Sequence, residues 1–341
     1  MNEHELAILR QFCLDAEPAS CTPYGCGHIN RTYLVATAGG RCYILQKINH
    51  HTFRDVAGLM ENIELVTEHL RRKSPDPRSV LTLIRTKDGK SYLEADDGYW
   101  RVFRFVEDSI CLQQPESDAD FYESAVGFGT FQQLLSDFPA EKLHETIPNF
   151  HNTPDRYRAL LETLTRDPMH RAAQVQPEIE FALARQAEMS AIQNALTAGE
   201  LPLRVTHNDT KLNNVLLDAK TRKALCVIDL DTVMPGLSLY DFGDSIRFGA
   251  STAAEDEKDL SKVNFDIELY KVYTEGYLSA AGKSLTDAEI EYLPFSSKLM
   301  TLECGMRFLG DYLNGDTYFR IDYPEHNLVR ARTQFKLSLI H

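Results

Sequence analysis

The spacing of apolar positions changes along the chain, and with it the kind of element each segment predicts. In residues 32–37 (TYLVAT) and 41–48 (RCYILQKI), β-branched and aromatic residues interleave with polar ones across a Gly39-Gly40 turn, the pattern of a β-hairpin. From Val56 to Arg72 the period lengthens to that of a helix, with Leu59, Ile63, Val66 and Leu70 on one face. SPDPRS breaks that pattern, and VLTLIRT, SYLEAD and WRVFRFVE predict further strands. Beyond Asp118 the texture is helical: AVGFGTFQQLL, TPDRYRALLETLT and PEIEFALARQAEMSAIQNAL each predict a helix. A short strand pair, NVLLD and ALCVIDLD, interrupts before helices resume in ELYKVYTEGYLSAA and PFSSKLMTLECGMRFLGDYL. The opening MNEHELAILRQFCLDAEP predicts an acidic amphipathic helix and lacks the basic flank and apolar core of a signal peptide. The prediction is an α+β, two-lobed fold. Residues 1–107 form an antiparallel β-sheet lobe with one helix, residues 108–341 a larger, mainly helical lobe, and the link lies near Glu107–Ser109.

Composition narrows the function classes. A chain of 341 residues with 43% hydrophobic and 25% charged residues can bury sizeable cores in two lobes. Its formal net charge of −14 argues against gripping nucleic acid or an anionic membrane, while leaving room for a local positive pocket. No apolar run is long enough to span a bilayer. The 7 cysteines are odd in number and scattered, with no CxxC pair and no zinc spacing, which predicts free thiols in a reducing cytoplasm.

Chemistry concentrates in VTHNDTKLNNVLLD, residues 205–218. Asn214 opens the outgoing strand of the predicted hairpin and Asp229 ends the returning one, so both reach its mouth. An amide oxygen and a carboxylate there, beside Asp231, suit Mg²⁺, a hard cation that keeps waters and takes phosphate oxygens. Asp209, just outside, is placed to accept a hydroxyl proton. This division of labour matches a kinase catalytic loop, in which an Asp is the base and an Asn five residues on holds metal. If His207 and Asp209 only braced a turn, the strand entering Asp229 and Asp231 would have no reason to end in two acids. Asp241-Phe242-Gly243 spells a kinase metal motif but falls 27 residues after Asn214, too late for the hairpin's return. Asp241 therefore reads as structural, a cap or a partner of Arg247.

On the nucleotide side, Gly25-Cys26-Gly27 forms a flexible turn whose N–H groups can approach phosphates. Kinases place a phosphate-pairing Lys on the third strand, but here that position holds Gln46. Lys47 is adjacent and, by alternation, on the other face, so either Gln46 bonds phosphate or a bulge turns Lys47 inward. Glu61 and Glu64 on the following helix are both candidate partners of that strand. RFVEDS, with Phe105 and Val106, offers backbone groups to an adenine edge.

These stretches, with PYGCGHINRTYLV, IELVT, DFGDSIRFGAST, LECGMRFLGDYL and YPEHNLVRARTQ, cover nearly the whole chain. It resembles the aminoglycoside phosphotransferase and choline kinase superfamily, and within it the N-acetylhexosamine 1-kinases. The resemblance implies ATP- and Mg²⁺-dependent phosphorylation of the anomeric hydroxyl of N-acetylglucosamine or N-acetylgalactosamine. It further implies Asp209 as base, Asn214 and Asp229 as metal ligands, and Asp231 as a supporting acid or second-metal ligand. Asn30 falls with the nucleotide contacts, and Asp244, Phe248, Arg307, Asp311 and Tyr318 fall in the sugar pocket. Arg307 and Asp311 stand four residues apart on a helix, so a surface ion pair is the competing reading. The rivals are a kinase of another small alcohol (choline, homoserine or an aminoglycoside) and a non-catalytic pseudokinase. The pseudokinase would lack Asp209, Asn214 or Asp229, and all three are present.

Overall fold

The computed structural model describes residues 3–25 and 29–339. A short helix, α1 (Glu3–Leu9), leads into a sheet of β1 (Pro18–Pro23), β2 (Arg31–Thr37) and β3 (Cys42–Ile48). Helix α2 (Val56–Lys73) follows, then β4 (Leu83–Ile84), β5 (Leu93–Ala95) and β6 (Gly98–Arg104). The sheet order is β1-β2-β3-β6-β4, with β5 also on β6, and every pairing is antiparallel. The hairpin and α2 lie where the apolar periodicity predicts them. Asp55 caps α2 by accepting from Gly58 N–H, and Leu59, Ile63, Val66 and Leu70 are its buried face. Strand β1 escapes the pattern: PASCTP is mostly exposed and bounded by prolines, which only an edge strand tolerates.

The chain crosses between lobes after Arg104, and β7 (Ser109–Cys111) already pairs with β9 (Val215–Asp218) of the second lobe. That lobe adds α3 (Asp118–Leu134), α4 (Thr153–Arg166), α5 (Gln176–Leu183), α6 (Gln186–Met189) and α7 (Ala191–Thr197). After β8 (Arg204–Thr206) and β9 come β10 (Ala224–Val227) and β11 (Met234–Gly236), then α8 (Ser238–Gly249), α9 (Ile267–Ala281), α10 (Asp287–Leu313) and α11 (His326–Ser338). The stretch predicted as one helix over 177–196 is three, although after Pro177 at its start it holds no Pro or Gly to break it. Ile179, Ala182 and Met189 belong to the core under α10, whereas Ile192 and Ala195 belong to the core around α3 and α9. A single straight helix cannot present residues to both, so packing overrides propensity.

Two glycines set the spacing of α3 and α9. A Cβ on Gly129 would sit 2.7 Å from the Tyr277 carbonyl, and one on Gly276 would sit 2.6 Å from that of Tyr122. Helix α2 belongs to both lobes. Phe53, Leu59 and Ile63 share one apolar core with Phe131, Leu135, Val205 and Val233. Buried Asn62 closes that contact by donating to the His144 and Val233 carbonyls (2.8 and 3.0 Å) and accepting from His144 N–H (2.8 Å). The six cysteines among the described residues are free thiols. No helix among those residues is long and apolar enough to cross a membrane.

Candidate active site

The loop from β8 to β9 is held from below by one buried carboxylate. Asp241, near the start of α8, accepts from the backbone N–H groups of His207 (2.9 Å) and Asn208 (2.8 Å) and from the Gln132 side chain (2.8 Å). Thr210 Oγ1 donates to its carbonyl (2.6 Å). Asp241 is thus structural, but as the anchor of the loop and not as a partner of Arg247, which pairs with Asp244 and Glu255. His207 is a brace with an assignable tautomer. Its Nε2 donates to the Ile228 carbonyl (2.8 Å), and Nδ1 accepts from Asp209 N–H (3.3 Å). Asn208 adopts a left-handed φ of 64° and donates to the Thr232 carbonyl (2.8 Å).

Asp209 therefore projects from a loop with little freedom. Lys211 Nζ lies 2.8 Å from its Oδ1, and Asn214 Nδ2 donates to its main-chain O (2.8 Å) and Oδ2 (3.2 Å). The charge of Asp209 outweighs the burial of Lys211 and raises its pKa. With its amide nitrogen committed to Asp209, Asn214 has its oxygen free for the hairpin mouth. There Ile228 N–H bonds the Asn214 carbonyl (2.9 Å), which sets Asp229 next to it, with φ at 59°. Enclosure by the surrounding protein, then the charges of Asp231 and Asp209, push the pKa of Asp229 up to about 7. Its side chain nonetheless opens to the cleft and has no hydrogen-bond or ion-pair partner among the described residues. An uncompensated carboxylate beside an amide oxygen is a donor set that fits a hard divalent cation. No three His, Cys, Asp or Glu among those residues converge to hold a metal alone. Phosphate oxygens and water would have to complete its shell.

Asp231, for which the resemblance implies a supporting acid or a second-metal ligand, makes contacts that suit the first of these. It is buried, with Arg101 Nη1 2.6 Å from Oδ1 and Asn30 Nδ2 donating to Oδ2 (2.5 Å). Asn30 also accepts from Asn49 N–H (3.0 Å). On β3, Gln46 accepts from Arg101 Nε (2.9 Å) and donates to Thr32 (3.1 Å). There is no bulge at Lys47. It faces away, 2.5 Å from Asp97 and over the Trp100 ring. Glu64 pairs with Arg85 (2.9 Å) and Glu61 with His144 (2.7 Å), so neither acid reaches β3. Gly25 has a left-handed φ of 79°, a conformation that favours glycine, while Gly27 lies outside the described residues. In the interlobe link, Phe105 N–H bonds the Cys42 carbonyl and the Val106 carbonyl accepts from Ser109. Among the described residues the Phe105 carbonyl and Val106 N–H have no hydrogen-bond partner, while the Val106 side chain is buried in the core.

On α8, Asp244 is buried against Arg247 (2.9 Å). Burial alone would raise its pKa, but Arg247, His151 and Lys211 outweigh this and hold it below the usual carboxylate range. The Arg307 guanidinium packs on Phe150, Tyr318 and Phe319 at 5.1, 5.9 and 5.6 Å. Phe248 and Tyr318 are exposed. Asp311 makes no ion pair with Arg307. Its two oxygens accept from the backbone N–H groups of Thr317, Tyr318 and Phe319 (each 2.9 Å) and from Asn327 (2.9 Å). It shapes the loop that carries Tyr318 and has little capacity left for a substrate hydroxyl.

Sequence reasoning missed Lys211, Arg101, Phe150 and the buried His151–Glu303 pair (2.8 Å), whose His151 also approaches the Asn208 carbonyl (3.3 Å). Lys211 was open to discovery, two residues after Asp209, whereas the others need tertiary contacts. His151 and Phe150 also line a cavity of about 290 Å³ with Gln193, Met234 and Tyr240.

The same two-lobed, kinase-like architecture occurs in solved phosphotransferases. A microcompartment-associated aminopropanol kinase is 18% identical, with a TM-score of 0.61 over 98% of this chain and 96% of its own. An amicoumacin kinase in complex with AMP-PNP, Ca²⁺ and Ami is 13% identical, with a TM-score of 0.63 over 98% and 92%. An aminoglycoside phosphotransferase bound to GDP and kanamycin is 16% identical, with a TM-score of 0.61 over 98% of both chains. At these identities the likeness is one of fold. Residues 20–280 match the phosphotransferase enzyme family APH, and on that match, which spans well over half its length, the chain belongs to this family.

Proposed function

We propose that the chain is an ATP-dependent kinase that phosphorylates the anomeric hydroxyl of N-acetylglucosamine or N-acetylgalactosamine. The observation that carries the reading is the position of Asp209. Its carboxylate, tied to Lys211 and Asn214, acts on Asp229 at the hairpin mouth, and its partner Lys211 also feels the charge of Asp244. Asp209 orients the C1 hydroxyl and takes its proton as the C1 oxygen bonds the γ-phosphorus. The bond from that phosphorus to the β,γ-bridging oxygen breaks, and ADP leaves. Lys211 keeps Asp209 aimed. Asn214 and Asp229 would hold Mg²⁺, which when bound offsets charge on the β- and γ-phosphates. The Phe105 carbonyl and Val106 N–H would meet the adenine edge. Exposed aromatic faces at Tyr318 and Phe248 suit a pyranose ring and an acetyl methyl.

A neutral acceptor is favoured over an amino alcohol because Asp244, the buried acid of the pocket, already has Arg247 as its counter-ion. A cationic acceptor calls for an uncompensated acid there. The test is ATP consumption with phosphorus NMR of the product. N-acetylglucosamine, N-acetylgalactosamine, glucose, galactose, choline and homoserine are run in parallel, with and without Mg²⁺. An anomeric phosphate signal from the N-acetylhexosamines is expected; turnover confined to an amino alcohol would sink the sugar reading.

A further inference from the structure

The strand position at which a kinase offers a cation holds Gln46, and Lys47 is turned away, yet this end of the cleft is not without positive charge. Arg101 stands directly opposite Gln46 in the β3–β6 register, so the two side chains lie on one face of the sheet. It is only 1% exposed. Nε donates to Gln46 Oε1 (2.9 Å) and Nη1 lies 2.6 Å from Asp231, while Nη2 has no partner among the described residues. Asp231 follows Asp229 by two residues and is also held by Asn30, at the end of the segment that begins with the glycine turn.

We propose that Arg101 is the cation that binds the nucleotide phosphates, with Asp231 as the carboxylate that orients it. This rests on the reading that the cleft takes ATP. Kinases of related fold pair a third-strand Lys with a helix Glu. Here the helix acids Glu61, Glu64 and Glu68 are engaged elsewhere, with His144 and Arg85, and the pair is rebuilt from β6 and the loop after β10. A guanidinium suits this task better than an ammonium, because its planar fork grips a carboxylate with one nitrogen and presents another to a phosphate oxygen. Packing among Gln46, Met60 and Asp231 leaves Arg101 few rotamers to lose when a ligand arrives. Asp231 is thereby the counter-ion of a binding residue and not a metal ligand.

The test is calorimetric binding of ATP and of adenosine to the full chain with Mg²⁺ and without acceptor. Arg101→Met is expected to weaken ATP by about 10- to 100-fold, the loss of one charged hydrogen-bonding group, and to leave adenosine within about twofold. Adding Gln46→Lys to that variant returns a cation to the same face and is expected to recover most of the loss. Should Arg101→Met not fold, Arg101→Lys keeps the charge without the fork and is expected to weaken ATP several-fold with adenosine unchanged. Parallel weakening of ATP and adenosine would make Arg101 merely structural and overturn the assignment, as would unchanged ATP affinity. A wild-type protein that binds ATP far better than adenosine but phosphorylates no hexosamine would refute the acceptor reading and leave Arg101 in place. One that binds neither ligand overturns both.

Discussion

On one side of the cleft, the groups proposed to meet the acceptor hydroxyl come from a single run, His207 to Asn214, closed by the hairpin that returns Asp229. On the other side, Asn30, Gln46, Arg101 and Asp231 come from four segments, and the Asn30–Asp231 bond spans 201 residues. Both sides are built on buried polar contacts, but only the first is written in consecutive residues. Local spacing can specify a loop, because side chains a few positions apart share one backbone path. It cannot specify a cation whose position depends on which residue of β6 lies opposite Gln46. The lesson is that an apparent vacancy in a motif is a question about register before it is a loss of function.

The two sides predict effects of different size. Asp209→Asn removes the proton acceptor while keeping shape and hydrogen bonds, so kcat is expected to fall about 10³-fold with ATP affinity nearly unchanged. Near-normal kcat would end the base assignment and, with it, the primacy of the contiguous loop. Next in size is the coupling of metal to pH. Asp229 titrates at about 7, well above an ordinary carboxylate, so the folded protein favours its protonated form. Its contribution to stability is therefore fully present below about pH 4 and is lost as pH rises through about 7. Mg²⁺ needs the ionised form, so its affinity is expected to be roughly tenfold weaker at pH 6 than at pH 8, followed as the Mg²⁺-induced rise in Tm. That rise should vanish in Asp229→Asn and persist in Asp231→Asn; the reverse pattern would restore Asp231 as a ligand.

Asn62→Ala strips the buried bridge from α2 to His144 and Val233 and leaves two carbonyls and an N–H without their partner. A loss of about 2 kcal/mol in urea unfolding is expected. A loss under about 0.5 kcal/mol would mean that the apolar core shared by the lobes suffices without it. The smallest change is expected at Tyr318, which is 62% exposed. Tyr318→Ala should raise the acceptor KM several-fold without moving Tm, since little packing is lost. A fall in Tm would instead assign Tyr318 to the loop that Asp311 holds.

Much of this protein was legible in the order of its residues. Periodicity marks α2 and its buried face, alternation marks the β2–β3 hairpin, and the spacing of His207, Asp209, Asn214 and Asp229 marks the loop and hairpin of the proposed reacting end, because each depends only on neighbours along the chain. Tertiary structure decided the rest. It split residues 177–196 among three helices to serve two cores, and it made Asp241 the anchor of the loop that carries Asp209. It turned Asp311 into a loop fastener, sent Glu64 to Arg85, and set Arg101 against Gln46 and Asp231. In each case the residue type is the same before and after folding, and what changes is which groups exclude water around it. A carboxylate acts as ligand, anchor or counter-ion according to the donors that burial forces upon it, and those donors are distant in sequence.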